Sequence, residues 1–232
     1  MNSIMKTARL AGLLYLVFLV TSIFAGVVRG NLVVFGDAAA TANNIRGSEW
    51  LFRLDFLSDL LSALFFLLAA WALYVLLKGI DKNLALLFVF LMGGGVAVQC
   101  VSLLSQFAGL LLLSGADYMK VFQADQLQAL ALLFLNLHRN GFMIAQMFYG
   151  TWLLPLGYLV YRSGFLPRIL GILLMLDFVG VLIWFLQFFL LPGYDVITYP
   201  GLAVSFVAEV SLSLWLLIRG VNVRPPVAGG AG

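Results

Sequence analysis

Four acidic side chains lie inside long apolar stretches of this sequence: Asp55, Asp59, Asp177 and Glu209. A charge in hydrocarbon is costly, so acids at such positions commonly line ion or substrate paths or pair with a base. Two kinds of chemistry would suit them. They could bind a cation or relay protons, or they could be protonated structural residues that hydrogen-bond to serine or backbone groups.

Other polar residues accompany the acids at helical spacing. Separations of three, four and seven residues place them on one face of each predicted helix, and such faces should point into a bundle, away from lipid. The predicted intramembrane site comprises Asp55, Asp59, Arg139, Asp177, Glu209, His138, Asn140 and Gln146. The alternative for the Gln and Ser residues on these faces is that they hydrogen-bond neighbouring helices together.

Two arginines, Arg53 and Arg139, are the basic partners expected near one edge of the membrane. We expect Arg139 to pair with Asp55 or Asp59 across the second and fourth spans, because all three lie at similar depth and a lone buried charge is destabilising.

Four acids against two bases leaves a surplus of two carboxyl groups. Asp177 and Glu209 are the least easily explained by an ion pair at the membrane edge. Glu209 should be protonated at neutral pH unless a cation or a basic side chain reaches it, because hydrocarbon disfavours the charged form.

His138 is the only histidine and Cys100 the only cysteine. These counts exclude a haem held by two histidines and a metal site built from several His or Cys ligands, so we expect no metal and no cofactor. A Ser–His pair for hydrolysis is formally possible, but no G-x-S-x-G string is present and no catalytic residue is assigned. We expect His138 to lie near the membrane boundary, in contact with a loop or a headgroup.

Six apolar runs must position these residues. Hydrophobic residues make up 63% of the 232 and charged residues 10%, with a mean hydropathy of +1.08. A soluble domain carries about 25% charged residues. Each run is long enough to cross a bilayer. The basic residues lie at the ends of the runs rather than in a patch, which excludes a nucleic-acid partner. The predicted runs are residues 8–28, 51–77, 84–114, 126–161, 168–191 and 201–218.

The six apolar runs predict an all-α polytopic membrane protein with a single bundle of six helices, and the distribution of basic residues places both termini in the cytoplasm. Cytoplasmic loops are enriched in Lys and Arg. The chain would divide into a cytoplasmic tail at 1–7, the helical domain at 8–220 and a disordered tail at 221–232. The residues assigned to the inner side are Lys6, Arg9, Lys78, Lys82, Arg162, Arg168, Arg219 and Arg224, and those assigned to the outer side are Arg29, Arg46, Arg53 and Lys120.

Local signals add detail to these spans. Asp37 is expected to cap a short surface helix over 38–46 that ends at Gly47. The glycines at 93–95 indicate a bend or a site of close packing. Pro155 should kink the fourth span, whose residues 126–137 are expected to project from the bilayer or lie at its surface.

Five stretches of the sequence match a known family: ARLAGLLYL (8–16), GDAAATANNI (36–45), LSGADYMKVFQADQLQALALLFLNLHRNGF (113–142), LGYLVYRSGFLPRILGILL (156–174) and AEVSLSLWLLIRGV (208–221). Through them the chain resembles a family of bacterial membrane proteins catalogued as domain of unknown function 4386. The resemblance implies a multi-pass protein of the bacterial inner membrane. It supplies no catalytic residues, because the family has no established activity.

Three functions remain open at this point. The first is a non-enzymatic binding or transport-type bundle whose polar cavity takes a small molecule, a cation or a proton. The second is a structural or accessory subunit that packs against another membrane protein. The third is an intramembrane enzyme. A continuous polar cavity that reaches Glu209 or Asp177 would favour the first, whereas acids that are all paired would favour the second.

Overall fold

The computed structural model describes residues 3–222, and these form helices joined by short loops, with no strand among them. Residues 1–2 and 223–232, which include most of the tail predicted to be disordered, lie outside the described part. The helices are α1 Ser3–Leu32, α2 Ala38–Gly47, α3 Glu49–Leu77, α4 Lys82–Leu113, α5 Ala124–Thr151, α6 Leu153–Arg162, α7 Arg168–Leu190 and α8 Tyr199–Leu214. The predicted all-α class is confirmed.

Six helical segments of the described chain are long and apolar enough to cross a membrane, which confirms the predicted number of spans. Five of them contain α1, α3, α4, α7 and α8. The remaining segment, Ala124–Arg162, joins α5 and α6. Its regular helix is interrupted at Trp152, one turn before the buried Pro155. Proline lacks the amide hydrogen that would bond to the carbonyl four residues earlier, so the ladder breaks where the kink was expected.

The short helix α2 covers the loop between α1 and α3. Its first turn is capped by Asp37, whose Oδ1 accepts a hydrogen bond from the Ala40 amide at 2.8 Å, as predicted. Ala42 and Ile45 are buried and belong to the same apolar cluster as Leu135 of α5. The end of α5 that was expected to leave the bilayer is therefore covered by this helix.

Glycines allow several helices to approach closely. Cβ atoms added to Gly180 of α7 and to Gly201 of α8 would each lie 2.8 Å from the Cα of the other residue. Gly95 of α4 leaves similar room for the ring of Tyr149, which confirms close packing at the predicted glycine cluster. Small residues are the usual means of packing helices in lipid, where burial of apolar surface gives little driving force.

An aromatic cluster fills the middle of the bundle. The rings of Phe18 in α1 and Phe66 in α3 stack with centroids 3.7 Å apart. Tyr15, Tyr149 and Trp152 pack around Phe66 at centroid distances of 5.6, 5.2 and 5.1 Å. Phe18, Phe66 and Tyr149 of this cluster also line the cavity described below.

Candidate functional site

Arg29 organises the largest buried polar group in the described structure. It lies in the last turn of α1, and its side chain reaches the acids of α3. Its Nη1 lies 2.5 Å from Asp59 Oδ2 and 3.6 Å from Asp55 Oδ1. The side chain of Arg29 is 17% exposed, and those of Asp55 and Asp59 are 0% and 2% exposed. With Gln106 and His138, these residues form what we call the Arg29 cluster.

The predicted pairing of Arg139 with these acids is wrong. Arg139 is exposed, and its guanidinium lies over the rings of Phe35 and Phe188, at 4.6 and 5.0 Å from their centroids. Successive residues of an α-helix differ in direction by about 100°. Because His138 faces the interior, Arg139 faces outward. Arg53 is also exposed and pairs with Glu49 one turn earlier.

His138 was expected near the membrane boundary, in contact with a loop or a headgroup, and this contact is wrong: His138 is buried between helices, with 2% exposure. Its Nε2 lies 2.7 Å from Arg29 Nη1, and its Nδ1 lies 3.1 Å from the Ser102 carbonyl oxygen. A guanidinium can only donate hydrogen bonds, so Nε2 must accept, and we assign the ring proton to Nδ1, which donates to the carbonyl. A neutral His138 therefore accepts a hydrogen bond from the same Arg29 nitrogen that contacts Asp59.

Gln106 completes the Arg29 cluster from α4. Its Nε2 donates to Asp55 Oδ2 at 2.7 Å, and its Oε1 accepts from Arg29 Nη1 at 3.4 Å. Asp55 Oδ1 has no hydrogen-bond partner among the described residues. Two carboxyl groups against one guanidinium and a neutral imidazole leave the cluster neutral only if it also holds one proton or a cation.

A second acidic group, Asp177 with Glu209, lies farther from Arg29 along α1, beside Tyr15. Ser205 donates a hydrogen bond to Asp177 Oδ1, while Asp177 Oδ2 is buried without a hydrogen-bond partner in the described structure. Glu209 lies near Asp177 and near the hydroxyl of Tyr15, which is buried without a hydrogen-bond partner in the described structure. Among residues 3–222, no Lys, Arg or His forms a salt bridge with either acid, and we call the two the carboxyl pair.

A cavity of about 410 Å³ connects these two regions. Arg29 and Asp59 line one end of it, Ser205 and Glu209 line the other, and Gln146 lies between them. Along α1 its wall runs from Phe18 to Arg29, a distance of roughly 16 Å at 1.5 Å per residue. Most of the remaining lining is aromatic or aliphatic, so the cavity has polar groups at its ends and apolar walls.

The cavity opens towards the side of the bundle, between α1 and α8. Ile23 and Phe206 line it from these two helices, and they are also 50% and 60% exposed. Gly26 lies beside Ile23, and a Cβ added there would meet no atom within 4 Å. Near the N-terminal end of α1 there is no such gap, because α1 packs directly against the segment that follows α8: a Cβ on Gly12 would lie 2.5 Å from the Leu217 amide nitrogen.

Comparison with known proteins identifies the family. Residues 10–220 match the family model described as Domain of unknown function (DUF4386). The chain belongs to this family. An uncharacterized protein of Archaeoglobus fulgidus is 34% identical over 90 residues, which cover 37% of this chain and 49% of that protein. This chain thus spans about half the length of that relative. No solved structure matches the chain.

The predicted site residues of this DUF4386 protein fall into three places. Asp55, Asp59 and His138 belong to the Arg29 cluster, Asp177 and Glu209 form the carboxyl pair, and Gln146 lines the cavity between them. The other two predicted residues lie elsewhere. Asn140 donates to the Asn136 carbonyl and lies beside a groove between α4 and α5, and Arg139 lies on the outer surface.

The central residue, Arg29, was missed because the first apolar run was ended at Val28 and Arg29 was assigned to a loop. The sequence does carry a signal for it. Tyr15, Ser22 and Arg29 are seven residues apart and therefore share one face of a helix, and all three point to the polar interior.

The geometry around His138 also bears on the enzyme hypothesis. Ser102 Oγ lies 3.4 Å from His138 Nδ1 but donates to the Gln99 carbonyl at 2.9 Å. Because Nδ1 itself donates to a carbonyl, it has no lone pair free to accept the serine proton. Nε2 faces Arg29, with Asp59 Oδ2 farther away at 3.9 Å. A Ser–His nucleophile is not assembled in this arrangement.

Proposed function

We propose that this DUF4386 protein is a non-enzymatic, binding or transport-type bundle of the bacterial inner membrane. A small molecule would occupy the cavity that is lined mainly by α1, α3, α5, α7 and α8. The observation that supports this most directly is the 410 Å³ cavity, which extends from the Arg29 cluster to Glu209. Both termini would lie in the cytoplasm.

The dimensions and lining of the cavity are those of a ligand site. Pockets that bury small molecules typically measure about 300–1,000 Å³ and combine apolar walls with a few placed polar groups. Ionisable residues at membrane depth are costly and usually serve a function. An accessory subunit has no need for this space, and its buried acids would be expected to be paired, whereas Asp177 Oδ2 has no partner in the described structure.

A pair of glycine substitutions tests whether the cavity binds ligands. Gly26→Phe should fill the cavity, whereas Gly30→Phe lies one turn further along α1 and does not line it. A Cβ at either position meets no atom within 4 Å, so neither substitution clashes at its Cβ. The probes are benzyltrimethylammonium, benzoate and benzyl alcohol, which differ in charge but share an aromatic body.

Ligand binding to the folded state raises the unfolding temperature by mass action, because a probe at about 100 times its Kd stabilises by about 2.7 kcal/mol. We expect at least one probe to raise the unfolding temperature of the wild type and of Gly30→Phe in detergent, and to leave Gly26→Phe unchanged. The proposal fails if no probe stabilises the wild type, or if Gly26→Phe responds as the wild type does.

A further inference from the structure

The charge in the cavity is unbalanced towards the carboxyl pair. Arg29 is already engaged by Asp59, His138 and Gln106, in a cluster that itself has one carboxyl group in excess, so it does not neutralise the carboxyl pair. At the opposite end, Glu209 faces the cavity, and neither it nor Asp177 forms a salt bridge among residues 3–222. A negative charge at this end therefore needs a proton or a cation from outside the described chain.

The walls of the cavity are largely aromatic. The lining includes the rings of Phe18, Phe66, Phe142, Tyr149, Trp184 and Phe206. The face of an aromatic ring attracts a cation, by about 2 kcal/mol or more where water is excluded, and its apolar surface also holds a hydrocarbon body. A carboxyl group in a cavity lined by such rings suits an ammonium group that carries apolar substituents better than it suits a small hydrated metal ion.

The side opening indicates how such a molecule would enter. The gap between α1 and α8 is bordered by exposed apolar residues, Ile23 and Phe206, on a surface that faces lipid in a six-helix membrane bundle. A molecule with an apolar body concentrates in the bilayer and meets this gap directly. Its charged end would then pass Gly26, the residue without a side chain in the opening.

We propose that the cavity binds an amphiphilic organic cation, with the ammonium group against Glu209 and the apolar body between α1 and α8. This inference rests on the proposed function and adds the chemical class of the ligand and the residue that recognises its charge. Binding would place the positive charge next to the carboxyl pair, with Asp177 and Tyr15 as the other ionisable groups that face Glu209.

Two probes of the same shape separate charge from size. Neopentylbenzene has a carbon atom where benzyltrimethylammonium has its quaternary nitrogen, so the two molecules share a shape and only the second is charged. We would measure equilibrium binding of radiolabelled benzyltrimethylammonium to the full-length protein in nanodiscs, with empty nanodiscs as the blank. Neopentylbenzene and benzoate serve as competitors.

The variants are Glu209→Gln and, as a matched acid-to-amide control, Glu49→Gln, whose carboxyl group forms an exposed salt bridge with Arg53. Glu209→Gln should weaken binding of the cation at least about tenfold, or 1.4 kcal/mol, and leave the inhibition constant of neopentylbenzene, the neutral competitor, unchanged. Glu49→Gln should bind the cation as the wild type does. Equal affinity of Glu209→Gln and the wild type would overturn the assignment of Glu209.

A measurement on the wild type alone covers the case in which Glu209→Gln does not fold. Dicyclohexylcarbodiimide modifies protonated carboxyl groups in apolar surroundings, and mass spectrometry locates the modified residue. Benzyltrimethylammonium should protect Glu209 from modification, and equal modification with and without the cation would overturn the inference. If benzoate or neopentylbenzene binds in preference to the cation and Gly26→Phe abolishes this binding, the inference fails while the proposed function stands.

Discussion

Replacing Arg29 by methionine tests the Arg29 cluster as the main electrostatic contact between α1 and α3. Methionine keeps an unbranched side chain but removes the charge. At an effective dielectric constant of about 20, the attraction between unit charges is about 7 kcal/mol at 2.5 Å and about 5 kcal/mol at 3.6 Å, the distances from Arg29 Nη1 to Asp59 and Asp55. Desolvation of the three buried groups offsets much of this attraction.

The net cost of Arg29→Met should therefore be about 3–5 kcal/mol, the usual cost of leaving a buried charge without its partner. Asp59→Asn should cost less, because Asp55 remains near the guanidinium. The double variant Arg29→Met/Asp59→Asn should be less destabilised than the sum of the two single variants by about 1–3 kcal/mol, since it removes the orphaned acid as well.

The free energy of unfolding of each variant would be measured in mixed micelles by titration with a denaturing detergent. Arg139→Met is the matched control, because Arg139 is exposed and its stacking on Phe35 and Phe188 is worth about 0.5–1 kcal/mol per contact at such sites. The reasoning is refuted if Arg29→Met costs no more than Arg139→Met, or if the effects of Arg29→Met and Asp59→Asn simply add.

Three further predictions concern orientation, packing and protonation. Reporter fusions should place the loop before α2 outside the cell and the C-terminus after Gly232 in the cytoplasm, and an exported C-terminus would contradict the proposed orientation. Gly180→Ala should lower the free energy of unfolding by about 1–3 kcal/mol, because its Cβ would lie 2.8 Å from Gly201. Gly93→Ala is the control, since its Cβ would meet no atom within 4 Å, and it should be neutral or slightly stabilising in the same measurement. Infrared spectra at neutral pH should show a protonated carboxyl band that disappears in Glu209→Gln, and identical spectra of the two proteins would show that Glu209 is ionised.

The sequence by itself determined the six spans and many local features. Hydropathy over about 20 residues is sufficient to recognise a helix that can cross a bilayer, because such a helix satisfies its own backbone and needs no partner for that purpose. The cap at Asp37 and the interruption before Pro155 were predictable for the same reason: each depends on atoms within a few residues along the chain. The acids Asp55, Asp59, Asp177 and Glu209 were identified because charge at membrane depth is rare.

Only the tertiary structure decided which base meets which acid. Arg29, Arg53 and Arg139 all lie near the same end of the bundle, and their depth alone does not distinguish them. The choice depends on the rotation of each helix about its axis, and that rotation is set by contacts between helices, such as the glycine contact of α7 with α8 and the aromatic cluster around Phe66. Because α1 turns Tyr15, Ser22 and Arg29 inward and α5 turns His138 inward, Arg29 rather than Arg139 reaches Asp59, and a cavity forms between the Arg29 cluster and Glu209.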